Sequence, residues 1–240
     1  MVGEVEPLKA LQELASQSSI VERIVREYPT RQIEPTLSFY RIRKDPKSPA
    51  EQHEYDSPPA AFARTGRLDA SGAPALYASP DLQVCVHECR VTAEDELYVA
   101  TLAPTRQLKF LDLSVILQEN DGITEFESLD IAVHMLFLAG KHSYDITRAV
   151  ASAARNAGFD GLIYPSYFSL LRLGAMPLRT TYGLSHRRIP QLQAHEQSFA
   201  VPNLAVFGRP IEAGTITVKC INKLVLSRVA YDFHFGPVTF

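Results

Sequence analysis

Between Pro7 and Tyr28 the apolar residues Leu8, Leu11, Leu14, Ile20, Ile24 and Val25 recur at roughly helical spacing. The pattern predicts one or two short amphipathic helices that cover or dock onto the rest of the chain. Ser38 to Arg43 is a short strand candidate, followed by about twenty residues rich in proline and charge with no periodicity, a loop long enough to be functional or mobile. A small strand is expected at Ala75–Ala78. Ser79-Pro80 then reads as a cap and first helical residue, opening a helix that runs to about Arg90. Glu96 to Leu102 and Gln107 to Leu113 read as strands joined at Pro104. Ser128 to Gly140 reads as an apolar helix, and a second helix capped by Ser143 stops at Gly158. Gly161 to Tyr164 is a buried-strand run. Leu204 to Phe207, Thr215 to Ile221 and Leu224 to Phe235 are β-branched and aromatic, so mostly strand. Strands and helices alternate irregularly, which predicts an α+β fold over a doubly wound sheet. Residues 1–35 read as an N-terminal helical extension and 36–240 as one domain with a β-rich tail.

Composition narrows the function classes. The 240 residues are 46% hydrophobic and carry a formal charge of −3, so no net pull towards nucleic acid or an anionic membrane is expected. Three cysteines, Cys85, Cys89 and Cys220, suit a reducing compartment better than a disulfide framework. The first residues mix Glu and Lys into their apolar positions, unlike a secretory signal or a membrane span, and the expected location is cytoplasmic.

Several residues could carry chemistry. In the helix after Pro80, Leu82, Cys85, Val86 and Cys89 form the buried stripe, and Glu88 falls at its edge. A carboxylate there can be half-desolvated and aimed into a cleft, or it can be a solvated flank. A metal reading of Cys85, His87 and Cys89 fails because His87 lies roughly 160 to 200 degrees around the helix from either thiol. Ser166 stands where a strand ends, but the Gly-x-Ser-x-Gly elbow of a hydrolase is absent. It is either a hydrogen-bonding site serine or a turn residue. Arg41 and Arg43 share one strand face, as a fork for phosphate oxygens or as edge charge. The triplet His186-Arg187-Arg188 reads as solvated surface.

The order of these blocks carries more than any one of them. Phe39-Tyr-Arg-Ile-Arg43, Gly66-Arg67-Leu68, Ala75-Leu-Tyr-Ala-Ser-Pro80 with Val86-His-Glu88, and Gly161-Leu-Ile-Tyr-Pro-Ser166 together resemble the RES-domain family, over roughly residues 36 to 210. The family's characteristic Arg, Glu and Ser look like Arg41, Glu88 and Ser166, its site tyrosine like Tyr77 and, more loosely, a late asparagine like Asn203. Leu68 departs from the aromatic residue usual after Gly-Arg. The resemblance implies an ADP-ribosyltransferase-like core with mixed and antiparallel strands and flanking helices. It also implies consumption of NAD⁺ by hydrolysis or phosphorolysis, or ADP-ribosylation of a protein; a binding module that only keeps the fold is the non-enzymatic alternative. NAD⁺ is then the substrate, inorganic phosphate a candidate co-substrate, and no metal or other cofactor is needed. A protein antitoxin is the implied partner, with a homodimer left open. Glu88 would stabilise an oxocarbenium-like state. Arg41 would neutralise the pyrophosphate with help from Arg43 or Arg67. Tyr77 would stack on nicotinamide or pack the ribose, and Ser166 would bond the ligand or orient Glu88.

Overall fold

The computed structural model describes residues 5–63, 65–120, 122–139, 141–169, 186–198 and 200–227. Its helices among these are α1 (Glu6–Gln12), α2 (Leu14–Glu27), α3 (Leu82–Glu88), α4 (Leu129–Leu138), α5 (Tyr144–Asn156) and α6 (Pro190–Ser198). Its strands are β1 (Thr30–Ile33), β2 (Phe39–Lys44), β3 (Ala75–Ala78), β4 (Leu97–Pro104), β5 (Leu108–Asp112), β6 (Gly161–Pro165), β7 (Pro202–Phe207) and β8 (Ile216–Leu224). They form a five-stranded sheet in the order β1-β5-β6-β7-β3 and a three-stranded sheet in the order β2-β4-β8. Only β5 and β6 run parallel, and every other pairing is antiparallel. The fold is α+β, with one mixed and one antiparallel sheet.

Side-chain alternation makes three apolar cores between four layers. On β5, Phe110 and Leu111 point to opposite faces, as do Leu162 and Ile163 on β6 and Leu204 and Ala205 on β7. One face carries α1, α2, α4 and α5 through Leu11, Ile24, Leu136, Phe137, Val150 and Ala154. The other packs Phe110, Ile163, Leu204 and Val206 against Phe39, Ala100 and Leu102 of the smaller sheet. The outer face of that sheet is covered by α3, through Ile42, Cys85, Leu97 and Val99. The N-terminal helices expected as a cover therefore bury Leu11 and Ile24 completely in the main core, and the chain then supplies the edge strand β1, which its exposed Thr-Arg-Gln had hidden from the hydrophobic pattern.

Three expectations need correction. Ser79-Pro80 does not cap α3; Asp81 does, its carboxylate accepting from the Val84 N–H at 3.0 Å. Ser79 instead pairs its backbone with Tyr40. Strands β4 and β5 lie in different sheets, so Pro104 marks a change of layer. The triplet at 186–188 is not solvated surface. Arg187 is 4% exposed and donates from Nε and Nη2 to the two carboxylate oxygens of Asp130, at 2.7 and 2.9 Å. Arg188 reaches Glu119 at 2.6 Å, and Glu119 in turn accepts from Ser128 Oγ and the Leu129 N–H at the start of α4. The long loop is also more ordered than its composition suggests: Tyr55, Asp56 and Ser57 are buried, and Asp56 and Ser57 bond the Glu212 N–H and the Gly208 carbonyl. Gly158 ends α5 as expected, at φ +78°. The expected strand over Leu224–Phe235 lies largely outside the described residues.

His134 on α4 titrates far from its ordinary range. Burial, and then the Arg187 charge, pushes its imidazole from 6.5 down to about 3. The unfolded chain binds that proton near 6.5, so between those values the unfolded state holds more protons. The contribution to stability is whole above this window and is lost as pH falls through it. Urea melts of His134→Gln are expected to show a flatter decline from pH 6.5 to pH 4 than wild type; parallel declines would refute the assignment.

Candidate active site

A pocket of about 450 Å³ opens where β2 meets the helical side of the five-stranded sheet. Arg41 and Ile42 line it from β2, Tyr77 and Ala78 from β3, Tyr164 from β6 and Asn203 from β7. Cys85, Glu88 and Cys89 come from α3 and its end, Tyr144 from the start of α5, and Gly66, Arg67 and Asp69 from the turn before β3. Of the residues expected from sequence, Arg41, Arg67, Tyr77, Glu88 and Asn203 meet here, and Ser166 joins through Glu88.

Glu88 is the last residue of α3, where a carboxylate opposes the helix dipole. The local helix gains nothing from it. Its Oε1 accepts two hydrogen bonds, from Ser166 Oγ at 2.7 Å and from Asn203 Nδ2 at 2.6 Å. Both donors belong to buried residues on separate strand ends of the large sheet. Two donors converging on one oxygen fix the plane of the carboxylate, and among the described residues Oε2 receives no hydrogen bond. Glu88 as a whole is exposed, so the expected half-desolvation is absent and hydrogen bonding orients the group. The Ser166 hydroxyl also accepts from the Phe168 N–H at 3.1 Å. It is thus engaged both as donor, to Glu88, and as acceptor.

Arg41 departs from the open fork the sequence suggested. It is 8% exposed, and its Nη1 and Nη2 donate to the carbonyls of Tyr77 at 2.8 Å and Asp56 at 3.1 Å. Its Nε is buried without a partner among the described residues, a state that costs roughly 1–3 kcal/mol. Burial, and then the neighbouring Arg43, brings its pKa down to about 10, so it stays cationic at neutral pH. Arg43 turns away from the pocket to the Glu54 carbonyl. Arg67 spends Nη1 and Nη2 on the carbonyls of Phe137 and Ala139 at the end of α4, with its guanidinium 5.0 Å from the Tyr144 ring. It still borders the pocket with its charge. The Tyr77 hydroxyl donates to Asp69 Oδ1 and accepts from the Leu68 N–H at 2.9 Å. Burial and the Asp69 charge raise its pKa, so it stays a neutral phenol.

The two pocket cysteines are thiols at neutral pH. Burial pushes Cys85 up to about 12 and raises Cys89 as well, and Cys85 Sγ rests 3.2 Å from the Tyr40 carbonyl. No group of three or more His, Cys, Asp or Glu among the described residues could hold a metal ion. Sequence reasoning missed Asp69, Tyr144 and Tyr164. Asp69 had a signal available, since it directly follows the Gly66-Arg67-Leu68 block; Tyr164 read only as part of a buried strand, and Tyr144 carried no signal of its own.

Comparison with known proteins adds the family context. A family model described as the RES domain matches residues 38–203, a span that runs from just before Arg41 to Asn203. A solved structure of the M. tuberculosis MbcT–MbcA toxin–antitoxin complex is similar at 17% identity and a TM-score of 0.47, covering 86% of this chain and 92% of that one. No curated protein matches the chain. Among the described residues no helix is long and apolar enough to cross a membrane.

Proposed function

The chain belongs to the RES-domain family, and on that premise we propose that it consumes NAD⁺ by breaking the nicotinamide–ribose bond, as a glycohydrolase or a phosphorylase. The observation that carries this reading is the Glu88 carboxylate, pinned on one oxygen by Ser166 and Asn203 at the edge of the pocket. When the C–N bond breaks, its electron pair neutralises the pyridinium nitrogen and positive charge develops on the ribose. A carboxylate already fixed beside that position stabilises the charge without reorganising. Water or phosphate then bonds to the anomeric carbon and gives up a proton, which leaves ADP-ribose or its 1-phosphate. Arg41 and Arg67 supply positive charge towards the pyrophosphate, and the Tyr77 ring offers a face to the nicotinamide or the ribose. The family resemblance adds a neutralising protein antitoxin as the partner.

Purified protein is incubated with NAD⁺, with and without phosphate, and the products are separated by mass. Free nicotinamide with ADP-ribose supports hydrolysis, and ADP-ribose-1-phosphate supports phosphorolysis. Label transferred onto protein, or intact NAD⁺ after long incubation, sinks the proposal.

A further inference from the structure

Asp69 lines the pocket, is 8% exposed, and was not needed to explain bond cleavage. Its carboxylate accepts a hydrogen bond from the Tyr77 hydroxyl, while the N–H of Leu68, in the same turn, donates to that hydroxyl. Both ties on the Tyr77 hydroxyl therefore come from residues 68 and 69. The turn is itself held to α5: Thr147 Oγ1 donates to the Arg67 carbonyl and Arg148 Nη1 to the Gly66 carbonyl. A side chain at Gly66 would place its Cβ 2.3 Å from Asp69 Oδ1, so the carboxylate would have to move from its present position if that residue were not glycine. A phenol engaged in this way has little hydrogen bonding left for a ligand, and what remains open is its ring.

We propose that Asp69 is a positioning residue: it clamps the Tyr77 hydroxyl so that the pocket presents the tyrosine ring, at a fixed angle, to the nicotinamide riboside end of the substrate. The substrate assignment rests on the function proposed above, whereas the clamp exists without it. The clamp joins β3 to α5, so ring orientation is set before a ligand enters and the associated entropy is not lost on binding.

Five variants, the single Tyr77→Phe among them, test this. Asp69→Ala frees the hydroxyl and is expected to raise the KM for NAD⁺ about tenfold with little change in kcat. Asp69→Asn keeps an oxygen acceptor and is expected to stay within about threefold of wild type. Gly66→Ala leaves Asp69 in the sequence but displaces its carboxylate, and is expected to reproduce the Asp69→Ala rise. Tyr77→Phe combined with Asp69→Ala is expected to be no worse than the greater single effect, because both remove one interaction. Additive effects in that pair, or a fall in kcat with unchanged KM in Asp69→Ala, would overturn the proposal. A measurement without NAD⁺ separates the clamp from the reaction. In protein carrying ¹³Cζ-tyrosine, the Tyr77 resonance, assigned by its loss in Tyr77→Phe, is expected to move in Asp69→Ala and Gly66→Ala. A stationary resonance overturns the clamp even if NAD⁺ is consumed, and a moving one upholds it even if NAD⁺ is not.

Discussion

Glu88→Gln is expected to lower kcat/KM for NAD⁺ by about 10²- to 10³-fold while leaving the melting temperature close to wild type. Glutamine is the informative choice because its side-chain oxygen can still accept from Ser166 Oγ and Asn203 Nδ2, the two bonds that reach Oε1. The geometry is kept and the charge is lost. Glu88→Ala removes both and leaves two buried donors without an acceptor, at a cost of roughly 1–3 kcal/mol. If charge is what the reaction uses, the two variants are equally inactive although only the alanine variant is destabilised. Activity in the glutamine variant above about half of wild type would show that Glu88 acts by shape and not by charge. Ser166→Ala and Asn203→Ala each remove one of two supports, and smaller losses are expected from either.

The second large effect concerns stability. Arg187→Ala strands the Asp130 carboxylate, which is 1% exposed and otherwise accepts only the Leu117 N–H among the described residues. Breaking a buried pair from one side costs about 3–5 kcal/mol, and in a chain of this size each kcal/mol lowers the melting temperature by roughly 2–4 °C. A fall of about 10 °C is therefore expected in thermal melts, with little change in the KM of whatever protein remains folded. The double variant Asp130→Leu/Arg187→Met removes both charges together and is expected to recover much of the loss. A single variant that melts within about 2 °C of wild type would mean that the pair is solvated in solution.

The contrast between these two residues shows how much the sequence could reveal. The helices over 6–27, 82–88 and 144–156 were legible from apolar spacing, because each buries a stripe in the core, and the one over 129–138 from its apolar run, because it is buried nearly all round. Glu88 was legible as a boundary position, but its two donors lie 78 and 115 residues further along the chain, and no local pattern encodes them. Arg187 read as surface for the same reason: its partner is 57 residues away. Arg41 was placed correctly on its strand, yet the loop that supplies Asp56 to it showed no periodicity, so its burial could not be foreseen. Strand β1 was missed because an edge strand with one buried residue in four has no alternation to read. The order of the blocks pointed to the family, while the division of duties inside the site came only from side-chain contacts.

The strand order of the large sheet bears on when the site can exist during synthesis. β7 lies between β6 and β3, so β3, which carries Tyr77, has no partner in that sheet until residues 202–207 are available. Asn203 belongs to that same strand, and β4 waits longer still for β8 at 216–224. Long-range pairings of this kind form only after the intervening chain has closed upon itself. A nascent chain in which Arg41, Tyr77, Glu88 and Ser166 have already been made would still lack an assembled pocket. If the chain consumes a dinucleotide that the ribosome's own energy supply depends on, this topology delays its first turnover until residues 202–224 have been made.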